Sequence, residues 1–302
     1  MEVTLLLGAG GVLAGVFGAL LGLGGGVLIV PLLTLGFGVP FREAVAISLL
    51  AVITTSSAGA AVYLRQGLAN LRLGLTLELA TAVGGLVGGL IAFALSERVL
   101  AGIFAGLLVY TAISMFRGRR SDAQAADVRP APAADELPPT PVRARPAVGD
   151  EAPPHAEPDR FEAYTATLVG PGYGVRRLPL GLALSGVAGV ISALLGVGGG
   201  TIKVPAMNLV MGVPLRVAVA TSNLMIGVTA SASAVLYLMR GAVDPWLAGP
   251  VVLGVFVGAS AASRAAHRVP VAVLRSLFVV VLGWVALEMA ARALDVSLWG
   301  LL

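Results

Sequence analysis

Residues 19–31 read Ala19-Leu20-Leu21-Gly22-Leu23-Gly24-Gly25-Gly26-Val27-Leu28-Ile29-Val30-Pro31, and residues 193–205 read Ala193-Leu194-Leu195-Gly196-Val197-Gly198-Gly199-Gly200-Thr201-Ile202-Lys203-Val204-Pro205. Each stretch leaves an apolar run through Gly-x-Gly-Gly-Gly and re-enters a second apolar run that carries a proline five residues on. The register between them is 189 − 15 = 174 residues and holds without a gap from Gly15 on Gly189 to Gly67 on Gly241. Roughly half the paired positions are identical, among them Gly38-Val39-Pro40 with Gly212-Val213-Pro214, Arg42 with Arg216, Ser48 with Ser222, Thr55 with Thr229 and Tyr63 with Tyr237. An ungapped match of this length marks an internal duplication.

The composition says where the copies reside. Of 302 residues, 57% are hydrophobic and 12% charged, against an ordinary ~45–50% and ~25%. Such a chain cannot cover a water-facing surface, which excludes a soluble globular enzyme. The charges are also segregated: 9 of the 20 basic and 9 of the 16 acidic residues fall between Arg117 and Arg177. The basic residues form no patch, so no nucleic-acid partner is expected despite a pI of about 10.0. There is no cysteine and there are two histidines, which leaves no basis for a metal centre, a thiol nucleophile or any cofactor. Glu2 follows Met1 without a basic n-region, so the first apolar run is expected to stay in the mature protein.

Eight apolar regions follow the chain, at 3–37, 41–64, 73–95, 99–116, 178–212, 215–239, 245–263 and 270–294. A bilayer core ~30 Å thick takes ~20 helical residues to cross. The first and fifth regions are too long for one crossing and too short for two, and glycines interrupt both. The reading is an all-α polytopic membrane protein of two homologous, inverted repeats, each a glycine-broken re-entrant hairpin plus three transmembrane helices. Residues 1–116 form the first repeat and 178–302 the second. Residues 117–177, rich in Pro, Ala and charge, read as a disordered cytoplasmic linker, with Phe161, Tyr164 and Tyr173 part of the tether. Inversion places only Arg42, Arg98, Arg240 and Arg292 opposite the linker, the arrangement that the positive-inside rule favours.

Duplicated halves with glycine-broken segments in corresponding positions point to a transporter's substrate site. A half-helix starting inside the membrane aims unpaired amides and a positive dipole end at whatever precedes it. Gly24, Gly25, Gly26 and Gly198, Gly199, Gly200 are therefore expected to converge as an anion site. Lys203, the single lysine of the chain, lies one turn beyond the second run, where an ammonium needs an anion, a counter-charge or a water-filled cavity. Ser48 with Thr55 and Ser222 with Thr229 each share one helix face, and together with Asn208 and Asn223 they suit a small oxyanion. Arg42 and Arg216 sit in first helical turns, where they are expected to cap the carbonyls of the preceding half-helix or guard the site. Glu78 reads either as an ion-coupling carboxyl or as an interfacial one, and Gly84, Gly85, Gly88, Gly89, Gly254 and Gly258 as packing glycines.

The paired G-x-G-G-G, the proline after it, and the following G-V-P with an Arg-x-Ala-Val-Ala helix start resemble the TauE/SafE sulfite exporter family, also called the toluene-sulfonate uptake permeases. The resemblance covers both membrane halves and not the linker. It implies transport of sulfite or small organosulfonates across a bacterial inner membrane, coupled to an ion gradient. The expected function is thus a secondary transporter, not an enzyme, with a small anion and membrane lipid as partners. An anion channel and a carrier of small non-sulfur carboxylates are the alternatives, and homo-oligomerisation is left open.

Overall fold

The computed structural model describes residues 2–21, 24–65, 69–117, 168, 173–265 and 271–293. The first half holds α1 (Glu2–Leu21), α2 (Gly26–Pro31, extended by a π-helical turn at Leu32–Gly36), α3 (Phe41–Arg65), α4 (Leu71–Ala94) and α5 (Glu97–Arg117). The second holds α6 (Leu178–Leu195), α7 (Gly200–Pro205, extended by a π-turn at Ala206–Val210), α8 (Leu215–Met239), α9 (Pro245–Ala265) and α10 (Val271–Ala293). Among the described residues seven helices are long and apolar enough to cross a membrane. The π-turns have one position in both copies. Pro31 and Pro205, which lack the N–H that an α-helix needs, close the α-helical part of each segment, and the π-turn follows directly.

Helix contacts are reciprocal between the halves. α1 packs along α9 and α4 along α6, α3 packs on α8, and α5 on α10. The 174-residue register recurs in the packing itself. A Cβ on Gly15 would run into the Val255 carbonyl, and one on Gly189 into the Thr81 carbonyl; Gly84 meets Gly186 in the same way as Gly258 meets Val12. These are the packing glycines expected from the sequence. Where lipid removes the hydrophobic drive between helices, backbone approach of this kind holds them together. Burial is correspondingly inside-out: Leu79, Leu253, Trp246 and Val280 are exposed, whereas Ser48, Thr55, Glu78, Lys203 and Thr229 are buried. An apolar rim around a polar interior is the distribution a lipid-embedded bundle requires.

Two features set the chain directions. α2 doubles back along α1, with Gly10 against Leu32 and Gly18 against Gly25, and α6 begins beside the end of its return limb, where the Arg176 amide donates to the Met211 carbonyl. The matched helices α3 and α8 run in opposite directions. The Ser56 hydroxyl, late in α3, donates to the Asn223 carbonyl early in α8, and the far ends meet at Phe93, whose ring lies 6.0 Å from the Arg42 guanidinium and 4.8 Å from that of Arg240.

Most of the 117–177 linker lies outside the described residues. Its last part departs from the expected free tether. The Asn70 side chain, which caps α4 by accepting from the Leu73 amide, donates to the Leu168 carbonyl and to the Tyr173 hydroxyl, both at 2.9 Å. Leu168 is buried, and Tyr173 packs against an apolar cluster with Leu73, Leu178 and Met211. A polar residue at a helix start thus fastens the end of the linker to the bundle.

Candidate functional site

Each glycine run turns the chain with two consecutive left-handed residues, Gly24 (φ 80°) and Gly25 (φ 73°) in one half and Gly198 (φ 82°) and Gly199 (φ 72°) in the other. Only glycine takes that region twice in succession without strain. The two tips touch. A Cβ on Gly26 would overlap the Gly196 carbonyl oxygen, and one on Gly24 would stand 3.7 Å from that of Val197. Both tips rest on Val52 and Ile226, which the 174-residue register pairs and which lie midway along α3 and α8. No side chain caps either half-helix start, at Gly25 or at Gly199. The Leu28 and Ile202 amides turn back to the Gly25 and Gly199 carbonyls, and the general rule leaves the earlier amides of each start without a partner inside its helix.

The hydroxyls around the tips divide into two groups. Ser48 donates to the Gly196 carbonyl at 2.7 Å, and Thr55 donates to the Gly24 carbonyl at 2.8 Å. Their protons therefore fix the shape of the tips. Ser222, the copy of Ser48, and Ser192, whose Cβ lies 3.4 Å from where one on Gly199 would stand, are fully buried and have no hydrogen-bond partner among the described residues.

Lys203 is buried and faces Glu78 rather than open space. Its ammonium donates to Glu78 Oε2 at 3.3 Å and to Thr229 Oγ1 at 2.7 Å, while Thr229 in turn donates to Glu78 Oε1 at 2.6 Å. The three side chains close a ring in the bundle interior, where Glu78 is 5% exposed. The ring exists in one half only, because the positions matched to Lys203 and Glu78 are Ile29 and Val252. Two opposite charges in apolar spans, each costly alone, are the signal from which this pairing is readable.

The structure does not bring every expected residue to the tips. Asn208 donates to the Val213 carbonyl at 2.9 Å and holds the turn after the return limb, one end of the bundle away. Arg42 does cap carbonyls, but those of Ala92 and Leu95 at the end of α4, not those of the preceding half-helix. A first-turn arginine is disfavoured by its own helix dipole and favoured at another's C-terminus. Arg216 heads α8, its side chain lying outside the described residues. Asn223 is buried beside Gly59 of α3, with its amide nitrogen against that glycine. Val52 and Ile226, the seat of both tips, escaped the sequence reading because apolar residues in an apolar span carry no signal beyond their duplication.

The profile of the family described as "Sulfite exporter TauE/SafE" matches residues 7–289, spanning both glycine tips and the ring. The chain belongs to the TauE/SafE family. This TauE/SafE protein is similar to two proteins of Bacillus subtilis (strain 168) named as probable membrane transporters. It is 26% identical to YunE over 255 residues, 82% of this chain and 83% of that one. It is 24% identical to YdhB over 264 residues, 87% of this chain and 91% of the relative. No solved structure matches it. Taken with the seven span-length apolar helices among the described residues, it is a multi-pass membrane protein of a transporter family.

Proposed function

We propose that the chain is a secondary transporter that carries a small sulfur-containing anion, sulfite or an organosulfonate, across the cytoplasmic membrane. The observation that carries this reading is the meeting of the two glycine tips, with uncapped half-helix starts and the buried, partnerless hydroxyls of Ser192 and Ser222. Donors without acceptors in a membrane interior suit a ligand rich in acceptor oxygens and poor in hydrogens. In this account the amides of Gly24–Gly26 and Gly198–Gly200 hold the anion's oxygens. Lys203 supplies the counter-charge, Ser222 and Asn223 complete the shell, and Ser48 and Thr55 keep the tips in shape. In proteoliposomes preloaded with unlabelled isethionate or sulfoacetate, labelled sulfonate should accumulate transiently by counterflow, and acetate preloading should not drive it. A channel would give no transient at all, and acetate-driven uptake would move the substrate class to carboxylates.

The repeats are inverted in this account. The support is the opposed direction of the matched helices α3 and α8 and the return of each broken segment along its incoming limb. Single cysteines added to this cysteine-free chain should label from outside at 38–43 and from the cytoplasm at 118–160. Labelling of both segments from one side rejects inversion.

A further inference from the structure

The anion reading leaves one arrangement unexplained: the cation offered to the substrate already holds an internal carboxylate. Lys203 is bonded to Glu78 and Thr229, so an anion that takes the ammonium must displace Glu78. A carboxylate released inside an apolar bundle has nowhere to discharge. α6, which packs along α4, carries no titratable side chain among residues 178–195. On α4 itself the other charge is Arg72, six residues and about 9 Å along the axis. On α8 the titratable groups are Arg216 and Tyr237, thirteen and eight residues from Thr229. From α7, Lys203 is the one charge that faces Glu78. We propose that Glu78 is a proton-coupling site: substrate anion and proton bind together, the anion taking the Lys203 ammonium and the proton going to the Glu78 carboxylate. This rests on the anion-carrier reading above.

The balance is simple. Before binding, Lys203⁺ and Glu78⁻ sum to zero, and after binding Lys203⁺ with the anion and neutral Glu78 also sum to zero. The interior therefore never holds a net charge, which is what a low-dielectric site demands. Thr229 takes part in this exchange. Its copy Thr55, which has no carboxylate beside it, gives its proton to the tip carbonyl of Gly24. Thr229 gives its proton to Glu78 instead. A protonated Glu78 becomes a donor, and the Thr229 hydroxyl then turns to the other acceptor in its reach, the Met225 carbonyl of its own helix at 3.1 Å.

The test uses the wild-type protein in detergent and isethionate, a sulfonate without a titratable group near neutral pH. Calorimetric titration in two buffers of different ionisation enthalpy gives affinity and proton count together. The expected result is uptake of about one proton per isethionate bound. Glu78→Gln should bind isethionate with no proton uptake and retain counterflow, while losing accumulation driven by a pH gradient. Binding without proton uptake in the wild type, or uptake that persists in Glu78→Gln, overturns the coupling role and leaves the carrier reading standing. Failure of isethionate, sulfoacetate and methanesulfonate alike to bind the wild type removes the anion-carrier reading, and the coupling role with it.

Discussion

Lys203→Met lowers the stability of the purified protein by about 3–5 kcal/mol, the cost of stranding one member of a buried ion pair. The charge alone does not set this figure. Methionine matches the apolar stem, so packing survives, but Glu78 is left with one hydroxyl, that of Thr229, as its partner. Adding Glu78→Leu removes the stranded carboxylate and returns most of the loss, since replacing a whole buried pair by apolar side chains is near neutral. Anion binding behaves differently. Hydrogen bonds to a charged group contribute ~1.5–3 kcal/mol, so both variants bind isethionate about 10- to 100-fold more weakly than the parent. Denaturant unfolding in detergent and calorimetric titration separate the two effects. Stability that recovers in the double variant together with full affinity would mean that Lys203 serves only the ion pair.

The duplication, the glycine breaks and the helical class were legible because each leaves a periodic or compositional trace. Gly15 and Gly189 are paired by arithmetic, and in three dimensions each meets a carbonyl of a helix from the other half, at Val255 and Thr81. Convergence of the tips is the expectation for an inverted pair of glycine breaks, and a Cβ on Gly26 would overlap the Gly196 carbonyl. The Lys203–Glu78 pairing leaves its trace in charge and not in the register. Lys203 and Glu78 lie 125 residues apart, and their matched positions carry Ile29 and Val252, so the register that located everything else gave no hint of their contact. Ser48 and Thr55 were identified as polar positions on one face, yet sequence does not say whether a hydroxyl spends its proton on a ligand or on a tip carbonyl. Asn208 shows the opposite error. Its place on the return limb suggests the site, but it lies near the limb's far end, within the π-turn that follows Pro205, and serves the turn at Val213. The composition around Tyr173 predicts a tether, whereas Asn70 and the apolar cluster beneath it dock the ring on the bundle.

The most direct measurement of the central claim, that the anion is held where the two tips meet, is isethionate affinity in Gly26→Ala against Gly36→Ala. Both glycines lie on the first half-helix and its π-turn. A methyl on Gly26 would strike the Gly196 carbonyl and stand 2.9 Å from both Ser48 Oγ and Val52 Cγ2. The tips must separate to admit it, at an overpacking cost of ~1–3 kcal/mol. A methyl on Gly36 would have only Leu32 Cδ1 at 3.9 Å, an ordinary contact. The account predicts that Gly36→Ala binds as the parent does and that Gly26→Ala binds about 10- to 100-fold more weakly. Equal affinity in the two variants would contradict it and place the anion away from the tips.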